Sequence, residues 1–148
     1  MQEELFLQRK LSDEQVRSYK ENGYLLYRPI LTDKGIEALQ KDCMAVWQNE
    51  NRESDRDKTW LKSMLLPNVH RRAETVRDFH FSGPLVDVAE RLIGANIEAA
   101  SSQLSFKLAG DTNVVGWHQD NGYGELDPYN ALTCLTALDT ADEDSGSL

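Results

Sequence analysis

A histidine and an aspartate lie two positions apart in the last third of the chain, and together they could bind a metal ion. His118, Gln119 and Asp120 follow Val114 and Val115, whose residue types favour a β-strand. On a strand, residues i and i+2 face the same side, so the imidazole of His118 and the carboxylate of Asp120 would lie side by side. This pair suits Fe(II) in the arrangement of two histidines and one carboxylate that leaves positions open for a cosubstrate and dioxygen. A third ligand is required.

The elements that come first along the chain are expected to be helices. Ser12 and Gln15 have the spacing of a capping box, so a helix should begin after Ser12 and end at Gly23. Thr32 should cap a second helix, because apolar residues recur after it at helical spacing. The mixed-charge run Asn49–Lys58 contains no apolar residue and is expected to be a solvated loop.

A third helix is expected just before the point where the hydrophobic period of the sequence changes. Ser82 should cap this helix, Pro84 should lie in its first turn, and Gly94 should end it. The segment before Ser82 has scattered apolar residues without a clean period and receives no assignment. It contains His70 and His80, which are expected to be ordinary, partly exposed side chains.

From residue 97 onward the hydrophobic period becomes two, which is typical of an antiparallel sheet. Strands are expected over Ile97–Leu108 and Asn130–Leu138, on either side of the segment that carries His118. In the first strand, apolar and polar residues alternate, and Gln103 and Lys107 belong to the polar face. The sequence therefore predicts a chain of the α+β class, mainly β, with helices first and strands after them.

Composition and charge limit the classes of function. The chain has 148 residues, with 16 Lys plus Arg against 25 Asp plus Glu, a formal net charge of −9 and a pI of about 4.8. This acidic balance without a basic cluster argues against a nucleic-acid partner. The sequence also has no apolar run of the roughly 18–20 residues that span a bilayer and no signal-peptide pattern at its start, so we expect a cytoplasmic protein without a membrane partner.

Length and cysteine content predict a single domain over residues 1–148, mostly helical over residues 1–96, with the first core strands over residues 97–148. Cys43 and Cys134 are far apart and form no CxxC motif, so both are expected to be buried free thiols. Nothing in the sequence predicts an oligomeric state, and the expected partner is a small-molecule substrate.

The order of several short motifs resembles that of the phytanoyl-CoA dioxygenase family. The motifs that carry the resemblance are, in order, Leu11–Val16, Gly23–Leu25, Gln103–Lys107, Trp117–Asp120, Tyr123, Asp127–Pro128, Ala137–Asp139 and Gly146–Leu148. The resemblance implies N-terminal helices packed on a double-stranded β-helix, also called a jelly roll. It also implies an oxygenase that uses Fe(II) and the cosubstrate 2-oxoglutarate to hydroxylate a C–H bond of a small organic substrate.

The same resemblance assigns roles to single residues. It implies that His118 and Asp120 are two of the three iron ligands. The other implied positions are Gln103, Lys107 and Leu135 at the 2-oxoglutarate pocket and Tyr123 on the substrate side. Related halogenases have a small residue in place of the carboxylate, so the presence of Asp120 favours hydroxylation.

The sequence also departs from the family pattern. The turn that would follow Gly146–Leu148, the second iron-binding histidine and the arginine that pairs with 2-oxoglutarate are absent. Residues 97–148 supply about three or four strands of ordinary length, against the roughly eight of a jelly roll. We therefore expect the N-terminal portion of a dioxygenase, inactive by itself.

Two alternatives stay open. The first is a non-catalytic binding or scaffold module derived from the family. The second is an unrelated small α+β domain in which His118 and Asp120 pair only with each other.

Overall fold

The computed structural model describes residues 4–8, 10–52, 65–107, 116–120, 130–145 and 147. Its described helices and strands are α1 (Asp13–Asn22), α2 (Asp33–Arg52), β1 (Leu65–Pro67), α3 (Glu74–Ser82), α4 (Pro84–Ile93) and β2 (Gln103–Ser105), and the 3₁₀ turn Val69–Arg71 lies between β1 and α3. β1 and β2 form an antiparallel two-stranded sheet in which Leu66 is opposite Leu104. The α+β class is confirmed. The sheet of the described residues is not closed, and the jelly roll stays a prediction.

Helix α1 begins and ends where local sequence signals place it. The Ser12 hydroxyl accepts a hydrogen bond from the Gln15 amide at 3.2 Å, and the Gln15 side chain accepts one from the Ser12 amide at 2.9 Å. At the other end Gly23 has a φ of 79°, a left-handed conformation that favours glycine, and its amide donates to the Tyr19 carbonyl. The predicted capping box and helix end are confirmed.

Helix α2 is longer than predicted. Thr32 caps it as expected, because its hydroxyl accepts a hydrogen bond from the Gly35 amide at 3.1 Å. The helix continues to Arg52, so the predicted loop over Asn49–Lys58 is wrong for its first four residues, while residues 53–58 lie outside the described part of the chain. Glu50 forms an ion pair with Arg72, which gives the polar last turn of α2 a partner. No described helix is both long and apolar enough to cross a membrane.

Helix α4 begins with Pro84 and is followed by Gly94, as predicted, but its cap is different. Ser82 is the last residue of α3, and its hydroxyl donates to the Asp78 carbonyl at 2.9 Å instead of capping α4. Gly83 occupies the N-cap position. A Cβ atom there would lie 2.4 Å from the Phe79 carbonyl oxygen, so the tight junction between α3 and α4 requires glycine.

The predicted strands are mostly not formed. Of the described residues within Ile97–Leu108, only Gln103–Ser105 form a strand, and their partner β1 comes from the segment that receives no assignment. Residues 116–119 and Asn130–Leu138 contain no strand, so the strand predictions there are wrong. An alternating pattern specifies which faces are apolar, but a strand also needs a partner for its backbone, and the described residues supply one only to β2. The alternation itself is present, since Leu104 is half-buried between exposed neighbours.

Two groups of buried side chains form the core. Their members are Cys43, Val46, Leu66, Val69 and Ala73 in the first, and Phe6, Leu31, Leu39 and Phe79 in the second. Val76 from α3 and Leu138 pack against both groups and join them into one core. The residues around position 138 are thereby fixed on the helices.

The N-terminal segment belongs to this core. Its backbone pairs with the residues before α2, since the Thr32 amide donates to the Leu5 carbonyl and the Leu7 amide donates to the Ile30 carbonyl, both at 3.0 Å. This pairing holds the Phe6 ring in the second buried group, at 5.3 Å from the Phe79 ring.

The two thiols differ in exposure. Cys43 is buried in α2 and Cys134 is exposed. The prediction of a buried thiol is therefore confirmed for Cys43 and wrong for Cys134, which lies in a segment without sheet partners.

Candidate metal centre

His118 and Asp120 lie in the described segment 116–120, and their side chains point at each other. His118 Nε2 is 3.4 Å from Asp120 Oδ1, and the two side chains are 43% and 53% exposed. The juxtaposition expected from their spacing is present even though the expected strand is not.

A backbone hydrogen bond orients the His118 ring. Its Nδ1 lies 2.8 Å from the Gly116 carbonyl oxygen, which can only accept a hydrogen bond, so Nδ1 carries the hydrogen. In the neutral ring the lone pair then resides on Nε2, the nitrogen that faces Asp120. Metal-binding histidines are typically oriented in this way, with the second ring nitrogen donating to a carbonyl or carboxylate.

The two carboxylate oxygens of Asp120 have different neighbours. Oδ2 accepts a hydrogen bond from the Thr133 hydroxyl at 2.6 Å, while Oδ1 faces His118. Thr133 belongs to none of the motifs that predict the site. No local signal could have found it, because 13 positions separate it from Asp120.

The geometry of this pair fits a metal ion. Nε2 offers a lone pair when the ring is neutral and Oδ1 is a carboxylate oxygen, so a cation placed between them would be attracted to both. If Nε2 and Oδ1 each lay about 2.1 Å from one ion, their separation of 3.4 Å would correspond to an angle of about 108° at the ion. Closing their separation to about 3.0 Å gives the right angle of an octahedral site, a movement within reach of exposed side chains.

Two ligands do not complete the site. Within the described ranges, no group of three or more His, Cys, Asp or Glu side chains converges in a way that could hold a metal ion. The third ligand required by the sequence analysis is therefore not among these residues.

The segment that contains Thr133 is hydrogen-bonded to the helices both before and after that residue. Before Thr133, the side-chain amide of Asn130 donates to the carbonyl of Ile93 in α4 at 3.0 Å. After it, the Gln40 side chain of α2 donates to the Leu138 carbonyl at 2.7 Å and to a side-chain oxygen of Asp139 at 2.8 Å. The helical core thus fixes the position of the hydroxyl that contacts Asp120.

The positions suggested for the cosubstrate and the substrate are distributed over several segments. Gln103 begins β2 and Lys107 follows it, and both are exposed on the polar face expected from the alternation. Leu135 is 76% exposed and lies two positions after Thr133. Tyr123 lies outside the described residues. Beside His118, the Trp117 side chain is 95% exposed.

The other two histidines form a separate cluster. The His70 and His80 rings stack at 5.0 Å, the Phe81 ring contacts both edge-on, and His70 Nδ1 is 2.8 Å from the Ser102 hydroxyl. Burial lowers the pKa of both histidines, assisted by Arg71 at His70 and by His70 at His80. Both are partly exposed as predicted, but no pattern in the sequence indicates the stacking.

Comparison with known proteins identifies a family for this chain. The model of one protein family, phytanoyl-CoA dioxygenase (PhyH), matches residues 19–148. No curated protein and no solved structure matches the chain. The matched range includes His118, Asp120 and Thr133.

Proposed function

The chain belongs to the phytanoyl-CoA dioxygenase family, and we propose from this membership and from the geometry of residues 116–120 that it contributes two iron ligands to an oxygenase. The family implies an oxygenase that depends on iron and 2-oxoglutarate. The proposed reaction is the hydroxylation of a small organic substrate, with His118 and Asp120 as ligands.

One observation carries the proposal. His118 Nε2 and Asp120 Oδ1 face each other at 3.4 Å, while the remaining polar atom of each side chain is engaged elsewhere. The facing imidazole nitrogen and carboxylate oxygen are thus directed to a common point, as two of the three ligands of a facial iron site would be.

Iron with bound 2-oxoglutarate would supply the oxidising power, since dioxygen and 2-oxoglutarate are converted to succinate and carbon dioxide while one oxygen atom enters the substrate C–H bond. The residues of this chain would hold and orient the participants. Lys107 carries a positive charge that can attract a carboxylate of 2-oxoglutarate, and Gln103 on the same face can donate a hydrogen bond to it. Leu135 would supply apolar contact to the cosubstrate, and Tyr123 would contact the substrate.

Metal binding tests this proposal without requiring turnover. Mn(II) can replace Fe(II) in sites with histidine and carboxylate ligands. The EPR signal of free Mn(II) falls as the ion binds, so it measures the bound fraction of Mn(II) in the presence of 2-oxoglutarate. We expect His118→Ala and Asp120→Asn each to weaken Mn(II) binding by at least about tenfold, the loss seen even for outer partners of metal ligands. Competition with Fe(II) under anaerobic conditions would show that both ions use the same site.

The matched control is Asp144→Asn, which removes the same charge from an exposed turn. It should bind Mn(II) as the unaltered protein does. Equal binding by the Asp120 and Asp144 variants would contradict the proposal, and His118 and Asp120 would then be an ion pair without a metal.

A further inference from the structure

The hydrogen bond between Thr133 and Asp120 has the length of a strong, charge-assisted bond. At 2.6 Å it falls in the range of roughly 2.5–2.7 Å that is usual for a hydroxyl donating to a carboxylate. It engages Oδ2, the oxygen that does not face His118. The bond therefore fixes the rotation of the carboxylate group and decides which oxygen is presented to the histidine.

This restriction matters because Asp120 is more than half exposed. Without a partner, the carboxylate of such a side chain rotates freely and could bind a metal ion through both oxygens. A second oxygen on the ion would occupy one of the positions that an oxygenase keeps open for cosubstrate and dioxygen. Because the Thr133 hydroxyl already binds Oδ2, it favours metal binding by Asp120 through Oδ1 alone.

The position of Thr133 is itself determined by the fold. Asn130 binds the end of α4, Gln40 binds the backbone of Leu138, and Leu138 packs into the core. The hydroxyl is thus held in place from both sides along the chain, which is what a group that orients a metal ligand requires.

We propose that Thr133 is a positioning residue that holds Asp120 as a one-oxygen ligand. The inference rests on the proposed function, since it concerns the same metal site. Thr133 does not touch the metal in this assignment and acts only through the Asp120 carboxylate.

Three substitutions test this role by Mn(II) binding in the full chain. Thr133→Val removes the hydroxyl at constant shape and should weaken Mn(II) binding by about tenfold to a hundredfold, as for other outer partners of metal ligands. Thr133→Ser keeps the hydroxyl and should restore most of the affinity. Thr136→Val makes the same change three positions on, in the same segment, and should leave the affinity unaltered.

Two further measurements separate positioning from a structural role. The thermal unfolding midpoint of the metal-free protein should be similar for Thr133→Val and Thr136→Val. The EPR signal of bound Mn(II), which depends on the symmetry of its ligands, should change in Thr133→Val only. Equal loss of stability and affinity in both valine variants would overturn the inference.

The outcomes also distinguish this inference from the proposed function. If His118→Ala loses Mn(II) binding while Thr133→Val binds as tightly as the unaltered protein, the metal site is real and the role of Thr133 is wrong. If His118→Ala binds Mn(II) as the unaltered protein does, the proposed function fails, and the inference fails with it.

Discussion

Replacing Gly35 with alanine should destabilise the protein, although alanine is the better helix former. Gly35 lies in the first turn of α2 and is buried against the N-terminal segment. A Cβ atom there would be 2.1 Å from the Leu5 carbonyl oxygen and 3.0 Å from its carbonyl carbon. Both are backbone atoms, so no side-chain rotation can relieve the overlap, and the two segments must move apart.

The size of the effect follows from that movement. Restoring an ordinary contact of 3.4 Å requires a shift of about 1.3 Å. The Leu5 oxygen accepts a hydrogen bond from the Thr32 amide at 3.0 Å, and the Thr32 hydroxyl donates to the adjoining Glu4 carbonyl at 2.7 Å, so such a shift would break both. Two hydrogen bonds contribute about 2 kcal/mol and overpacking strain costs about 2 kcal/mol, against a gain of about 1 kcal/mol in helix propensity. The free energy of unfolding should therefore fall by about 3 kcal/mol.

Urea unfolding followed by circular dichroism measures this change. The free energy of unfolding typically falls by about 2 kcal/mol per molar urea, so the urea midpoint of Gly35→Ala should be lower by about 1.5 M. Gly116→Ala is the matched control, because its added Cβ meets no atom within 4 Å among the described residues beyond its chain neighbours, and its midpoint should hardly change. A midpoint for Gly35→Ala equal to or above that of the unaltered protein would refute the reasoning, since helix propensity would then outweigh the overlap.

Two other predictions concern titratable side chains. Stability should fall as the pH drops below 6.5, because burial lowers the pKa of His70 and His80 from that value and the unfolded chain takes up protons before the folded one does. Urea midpoints between about pH 7.5 and pH 5 check this; His80→Leu should reduce the slope, and a flat profile in the unaltered protein would contradict it. Burial, assisted by Asp42, raises the pKa of the Cys43 thiol to about 11, so the thiol reagent DTNB should modify Cys43 only on unfolding. Desolvation also raises the pKa of Cys134, but its side chain is exposed, so DTNB should modify it promptly in the native protein. Cys134→Ser should abolish the prompt phase, whereas prompt modification of Cys43 in the native protein would show that it is accessible.

The helix boundaries could be predicted where the determining contacts are local. The Ser12 and Gln15 cap involves residues three positions apart, and Pro84 and Gly94 act through their own backbone conformations. The predicted cap of α4 is wrong because Ser82 is still the last helical residue of α3, and its hydroxyl donates to the Asp78 carbonyl rather than accepting from an amide of α4. A sequence pattern cannot decide between two such partners when both are close along the chain.

The strands and the surroundings of the metal pair depend on contacts that no local pattern contains. β2 pairs with β1, nearly forty positions earlier, in a segment whose apolar residues show no period. The approach of His118 to Asp120 could be predicted, because two residues separated by one neighbour are close in most backbone conformations. The hydroxyl of Thr133 could not, since it reaches Asp120 only because the core holds the segment that follows residue 130.

The hydrogen bond from Gln40 to Leu138 spans 98 positions, about two thirds of the chain, and this sets an order of events during synthesis. The first helices can pack against one another as they leave the ribosome, whereas the segment with Thr133 can dock only after residue 138 has emerged. On the proposed assignment, the metal ligands are oriented only when this late docking is complete. A metal ion that binds the docked chain alone would shift the folding equilibrium toward it by mass action, so the supply of iron would influence how long each newly made chain survives.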